Sequence, residues 1–117
     1  MHITTEQRHE KTLLSLQEER LDAHNSGELK EYLQRLLENG THELIVDLSA
    51  VHFIDSSGLG ALLSGYKNAN LRQGSLILTG LQPRVQSMFE LTRLHRVFDI
   101  YPDLEAALNH AKAGELA

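Results

Sequence analysis

The spacing of apolar and polar positions changes several times along the chain, and each change marks an element. Residues 2–8 are weakly patterned and predict an edge strand. KTLLSLQ (11–17) alternates better, with Leu14 and Leu16 on one face, and predicts a second strand. RHEK between them is a candidate turn, without the glycine or asparagine that usually closes a tight hairpin. The period then becomes helical. In NSGELKEYLQRLLENG (25–40), Leu29, Tyr32, Leu33, Leu36 and Leu37 recur at i, i+3, i+4, i+7 and i+8. Asn25 and Glu28 are spaced as a capping box, and Gly40 offers a left-handed stop.

ELIVDLS (43–49) is a continuous apolar run interrupted by Asp47, as in a central buried strand. A helix follows Ser56, with Leu59, Leu62, Leu63 and Tyr66 as its inner stripe. GSLILTG (74–80) predicts another buried strand between glycines. Pro83 opens a helix with Val85, Met88, Phe89 and Thr92 on one side. RVFDIY (96–101) predicts a short strand, and Pro102 starts a last helix with Leu104, Ala107, Leu108 and Ala111 inward. After the first pair of strands, helices and strands alternate. The expected fold is therefore α/β: one domain over 1–117 with its core at about 11–112. A mixed sheet of about four to five strands, parallel at its centre, packs with about four helices.

Composition narrows the function. A chain of 117 residues, 41% apolar and 23% charged, is long enough for one modest core. Without cysteine it has no disulfide, thiolate metal site or thiol nucleophile. The net charge of −5 argues against a nucleic-acid partner, and Arg84, Arg93 and Arg96 read as ordinary solvated charges. No apolar run reaches the length of a membrane span. MHITTEQRHEK lacks the basic start and apolar block of a signal peptide, so a cytoplasmic location without membrane insertion is expected.

The candidate chemistry lies in DSSG (55–58), at the carboxyl end of a strand, the edge where open α/β sheets bind ligands. A phosphate loop is excluded. GALLSG (60–65) is followed by Tyr66 and Lys67 instead of Lys and Ser or Thr, and Leu62 and Leu63 belong to the helix stripe. The dinucleotide fingerprint fails at Leu63, where a third glycine is needed. A serine-hydrolase elbow fails at Ile54, and the histidines at 2, 9, 24, 42, 52, 95 and 110 form no compact metal motif. No catalytic residue, metal or cofactor is expected.

Helix capping by Asp55 or Ser56 accounts for DSSG on its own. Capping does not account for the side of the helix that carries Ser57, Ala61, Ser64, Gly65 and Asn68, with Gly58 and Gly60 near its mouth. Lys67 is the only charge from 57 to 70. Two readings of that face stand side by side: a docking surface for another protein, or internal packing. A serine at such a mouth is also a good place for a charge switch. Phosphate there adds a charge of roughly −1.5 to −2, which a helix N-terminus tolerates.

FIDSSGLGALL, together with QGSLIL (73–78), MFELTRL (88–94) and RLDAHNSGELKEYL (20–33), resembles the STAS domain, the sulphate transporter and anti-sigma factor antagonist family. The likeness runs from about Lys11 and is nearest to single-domain bacterial anti-sigma factor antagonists. It implies that Ser56 is the phosphorylated residue, so Ser56 is read as a cap that can also be phosphorylated and Ser57 as part of the surface its phosphate would block. It implies a partner, an anti-sigma factor with a histidine-kinase-like ATPase fold, that is bound when Ser56 is unmodified, freeing a sigma factor. A PP2C-type phosphatase would restore the binding form. Asp22, Asp55, Ser56, Ser57, Gly58, Gly60, Ala61 and Ser64 are the expected contact residues. The alternative within the family is a module that is never phosphorylated, a scaffold or an accessory subunit of a transport complex. Two departures stand out: Glu18-Glu19 before the Leu-Asp pair, and Arg93 in place of the glycine of Thr-Gly-Leu. Arg93 either takes a left-handed conformation or lets the helix run on.

Overall fold

The computed structural model describes residues 1–109. Its main sheet has five strands from one edge to the other. Strands β1 (Ile3–Arg8) and β2 (Lys11–Leu16) form an antiparallel hairpin at one edge. Strands β4 (Glu43–Asp47), β6 (Ser75–Thr79) and β7 (Asp99–Tyr101) continue parallel to β2. The mixed sheet with a parallel centre is thus as the pattern implied. The hairpin turn uses no glycine. His9 takes the left-handed region at φ 60°, which histidine enters more readily than most residues.

The alternation within each strand divides the core into two layers. Leu14, Leu16, Leu44, Val46, Leu76 and Leu78 point to one face, beneath helices α1 (Ser26–Glu38), α2 (Ser56–Leu71) and α3 (Pro83–Leu91). Leu13, Ile45 and Ile77 point to the other, where Ala107 closes a smaller cluster. Ala107 belongs to α4, which begins at residue 104 and continues to the end of the described residues. Ala111 and His110, and the end of the expected core at 112, lie outside them.

Several local expectations change. Asn25 precedes α1 without capping it, because its side chain is used earlier in the loop. Its Oδ1 accepts from the Asp22 amide at 2.9 Å and its Nδ2 donates to the Arg20 carbonyl at 2.8 Å. Glu28 pairs with the N-terminal ammonium at 3.1 Å, so no capping box forms. The other end of α1 is as expected. Gly40 is left-handed at φ 98°, its amide donates to Leu37 and the Thr41 amide donates to Leu36, closing a Schellman turn. Thr92 is exposed at the end of α3, and its hydroxyl donates back to the Met88 carbonyl at 2.7 Å. The strand expected over 96–101 is shorter, because Leu94–Arg96 form a 3-10 turn and only Asp99–Tyr101 pair with β6. Arg93, at φ 62°, sits in the left-handed region between α3 and that turn, so the helix does not run on.

One feature of the topology has no counterpart in the periodicity. Strands β3 (Arg20–Leu21) and β5 (Phe53–Ile54) pair in parallel as a separate two-residue ribbon beside the main sheet. Elements this short leave no measurable period. The Glu19 carbonyl extends the ribbon by accepting from the amides of His52 and Phe53. Glu18 also takes a role, its carboxylate accepting from the His2 amide at 2.8 Å.

Candidate functional site

The ribbon decides the geometry of DSSG. Leu21 is in register with Ile54, so the next residues, Asp22 and Asp55, leave the ribbon side by side. Asp55 is the N-cap of α2, with an extended backbone. Its Oδ1 accepts from the Gly58 amide at 3.0 Å, and its Oδ2 accepts from the Ala23 amide at 3.2 Å. One carboxylate therefore ties the mouth of α2 to the loop after β3.

Asp22 organises that loop. Its Oδ1 accepts from the His24 amide at 2.9 Å, and Arg20 Nε lies 3.4 Å from its Oδ2. The His24 amide holds the Asp22 carboxyl below its ordinary value; desolvation opposes it, and the nearby Arg20 and His24 side chains add to the lowering. Arg20 in turn stacks over the Phe53 ring at 4.1 Å.

Ser56 is the first residue of α2 and is exposed. The sequence reads Ser56 as a cap that can also be phosphorylated; the structure corrects the first half, because the cap is Asp55, whose carboxylate accepts from the Gly58 amide. Among the described residues nothing pairs with the Ser56 hydroxyl. It stands free at a helix mouth whose first turn carries no acidic side chain.

The small-residue side of α2 divides in two. Gly58, Ala61, Gly65 and Ala69 are buried. A Cβ on Gly58 would lie 2.6 Å from the Leu21 carbonyl oxygen, and one on Gly65 would lie 2.8 Å from the Leu33 side chain. These residues let α2 settle against the ribbon and α1. Gly58 and Ala61 are therefore removed from the expected contact surface by their own packing. Ser57 and Gly60 are exposed and Ser64 is half-buried, so they form the outward part of the helix. A Cβ on Gly60 would meet nothing within 4 Å, so internal packing does not require glycine there. The residues missed from sequence are the ribbon's own, Arg20, Leu21 and Phe53, together with the Ala23 amide. Only the Leu-Asp pair before the first helix hinted at them.

A cavity of about 830 Å³ lies at the opposite end of the sheet, between the β1–β2 turn and α4. Among the described residues no group of histidines and acids could hold a metal ion. No described helix is long and apolar enough to cross a membrane.

Comparison with known proteins agrees with this fold. The family model of the STAS domain matches residues 2–107. The anti-sigma-B factor antagonist of Listeria monocytogenes is 33% identical over 89 residues, 76% of this chain and 77% of the relative. An anti-sigma factor antagonist from Mycobacterium paratuberculosis superposes with a TM-score of 0.85 at 24% identity, covering 95% of this chain and 93% of the other. The Bacillus cell fate determinant SpoIIAA, in its phosphorylated form, superposes with a TM-score of 0.70 at 20% identity, covering 94% and 99%. At such identities the two structures share the fold.

Proposed function

The chain belongs to the STAS domain family of anti-sigma factor antagonists, and we propose that within it the protein is a binding module switched by phosphorylation of Ser56. Unmodified, it docks on a cognate anti-sigma factor with a histidine-kinase-like ATPase fold and so releases a sigma factor. The contact residues are Asp22, Asp55, Ser56, Ser57, Gly60 and Ser64. The partner transfers the γ-phosphoryl group of ATP to Ser56 Oγ. An O–P bond forms to Ser56, the bond to the ADP oxygen breaks, and the serine proton leaves to a base of the kinase. The chain is thus a substrate of this transfer, and a PP2C-type phosphatase reverses it.

The observation that carries this reading is the separation of capping from Ser56. Asp55 supplies the cap, so the Ser56 hydroxyl can be modified without removing a hydrogen bond that holds α2. Free amides of the first turn and the helix dipole favour the added charge, so the fold persists. The same charge, roughly −1.5 to −2, enters a surface that already carries Asp22 and Asp55 and repels a partner that fitted the neutral hydroxyl. Gly60 supports the docking half of the reading. An exposed glycine within a helix costs about 1 kcal/mol relative to alanine, and nothing inside the domain requires it.

The test is to incubate the chain with the host's histidine-kinase-like anti-sigma factor and ATP, then to map phosphate by mass spectrometry. Wild type should be labelled at Ser56 and Ser56→Ala should not. Equal labelling of both would remove Ser56 from the mechanism. A Ser56→Asp variant that binds as tightly as wild type would favour the unphosphorylated scaffold instead.

A further inference from the structure

A second surface feature adjoins the Ser56 mouth. Phe53 and Ile54 of β5 and Arg84, Ser87 and Met88 of α3 enclose a cleft of about 280 Å³. Ile54 is followed directly by Asp55 and Ser56, so the cleft and the helix mouth are continuous along the backbone. On α3, residues 84, 87, 88 and 91 are spaced i, i+3, i+4 and i+7 and share one side of the helix. That side ends in Leu91, whose exposure of 79% is unusual for a large apolar residue. The cleft is smaller than the roughly 300–1,000 Å³ of small-molecule sites, and its size suits an anchoring side chain better than a cofactor.

Charge distinguishes this cleft. The chain carries a net charge of −5, yet a guanidinium stands at the lip of the cleft. Arg84 has no ion-pair or hydrogen-bond partner among the described residues. Arg20, on the Phe53 ring, is by contrast already paired with Asp22. An unpaired arginine beside Phe53, Ile54 and Met88 offers two complementary contacts at once: an apolar seat and a fork for a carboxylate.

We propose that the cleft between β5 and α3 is a second docking element that takes an apolar side chain flanked by Asp or Glu, presented by the anti-sigma factor that docks at Ser56. This rests on the reading of Ser56 given above. The apolar side chain enters between Phe53 and Met88, and its acidic neighbour pairs with Arg84. Because the cleft lies outside the first turn of α2, it contributes affinity and register whatever the state of Ser56. Phosphorylation then removes one of two contacts.

Two measurements separate the parts of this proposal. First, the isotopically labelled full chain is titrated with the peptides acetyl-Glu-Leu-Leu-Glu-amide and acetyl-Lys-Leu-Leu-Lys-amide. Only the acidic peptide should shift the amides of Phe53, Arg84 and Met88. No shift, or equal shifts with both peptides, overturns the cleft. Second, binding of the host's histidine-kinase-like anti-sigma factor is measured for wild type, Arg84→Glu, Arg84→Lys and Ser57→Arg. Arg84→Glu should weaken binding roughly ten- to a hundredfold, in the range of an arginine hot spot, and Arg84→Lys, which keeps the charge but not the fork, should lose less. If Ser57→Arg abolishes binding and Arg84→Glu leaves it unchanged, the cleft is not part of the interface while the Ser56 reading stands. If wild type does not bind, both fail together.

Discussion

The Asp55 carboxylate accepts the Ala23 amide at 3.2 Å while its other oxygen caps α2 at Gly58. A single side chain thus fixes the mouth of the helix relative to the loop that carries Asp22, and it leaves the adjacent serine unencumbered. Asp55→Ala should remove both bonds and lower stability by about 0.5–2 kcal/mol, the range of a lost N-cap. Asp55→Asn keeps an acceptor oxygen for one amide and should lose less. Denaturant unfolding gives the energies, and hydrogen exchange at the Ala23 amide shows whether the tie to the loop has opened. An unchanged Ala23 amide in Asp55→Ala would disprove the tie.

Gly60 and Gly58 should respond oppositely to the same substitution. Gly60→Ala adds a methyl into open space and raises helix propensity, so it should stabilise the chain by about 0.5–1 kcal/mol. On the proposed docking face it should also weaken binding of the anti-sigma factor, because the added methyl would stand between the helix and the partner. A more stable chain with unaltered affinity would place the partner elsewhere.

Gly58→Ala puts a methyl 2.6 Å from a backbone oxygen, which cannot move aside as a flexible side chain does. A loss of about 1–3 kcal/mol is expected, as for overpacked cores. Thermal unfolding reads it, and a loss of less than a few tenths would mean that α2 shifts freely on the β3–β5 ribbon.

Arg93 holds a left-handed conformation at φ 62°, where a side chain is strained and glycine is not. Arg93→Gly should stabilise the fold by about 0.5–1 kcal/mol, the relief of strain being partly offset by the entropy of glycine. Arg93→Ala keeps the strain and should leave stability nearly unchanged. The pair of denaturation midpoints separates backbone strain from loss of the guanidinium.

Asp22 adds a pH dependence of known sign. Its folded carboxyl titrates below the ordinary 3.8, chiefly because the His24 amide favours the ionised form. The unfolded chain therefore takes up a proton first as pH falls. The contribution to stability is complete above the ordinary value and is lost as pH drops through the lower folded one. Following the carboxyl carbon of Asp22 by NMR should give a midpoint below 3.8. A midpoint at or above it would mean that the loop does not hold the carboxylate as described.

The sequence already carried the main sheet and its helices, because long periodic segments bury one face and that face is written in the residues. Leu29, Leu33 and Leu37 lie on the buried side of α1 as their spacing requires. DSSG reads as a helix mouth with Ser56 as its cap, and the structure makes Asp55 the cap instead. Three-dimensional packing decided which residue caps the helix and which glycines are structural. Asn25 has the right identity and spacing for a cap, but the loop before α1 offers its side chain competing partners in Asp22 and Arg20. Gly58 and Gly60 are alike in sequence. One faces Leu21 and the other faces solvent because the β3–β5 ribbon lies on one side of α2. That ribbon pairs residues distant along the chain through strands too short to show a period. The arrangement of Asp22, Asp55 and Ser56 is therefore a property of the tertiary structure, built on elements that local patterning had already determined.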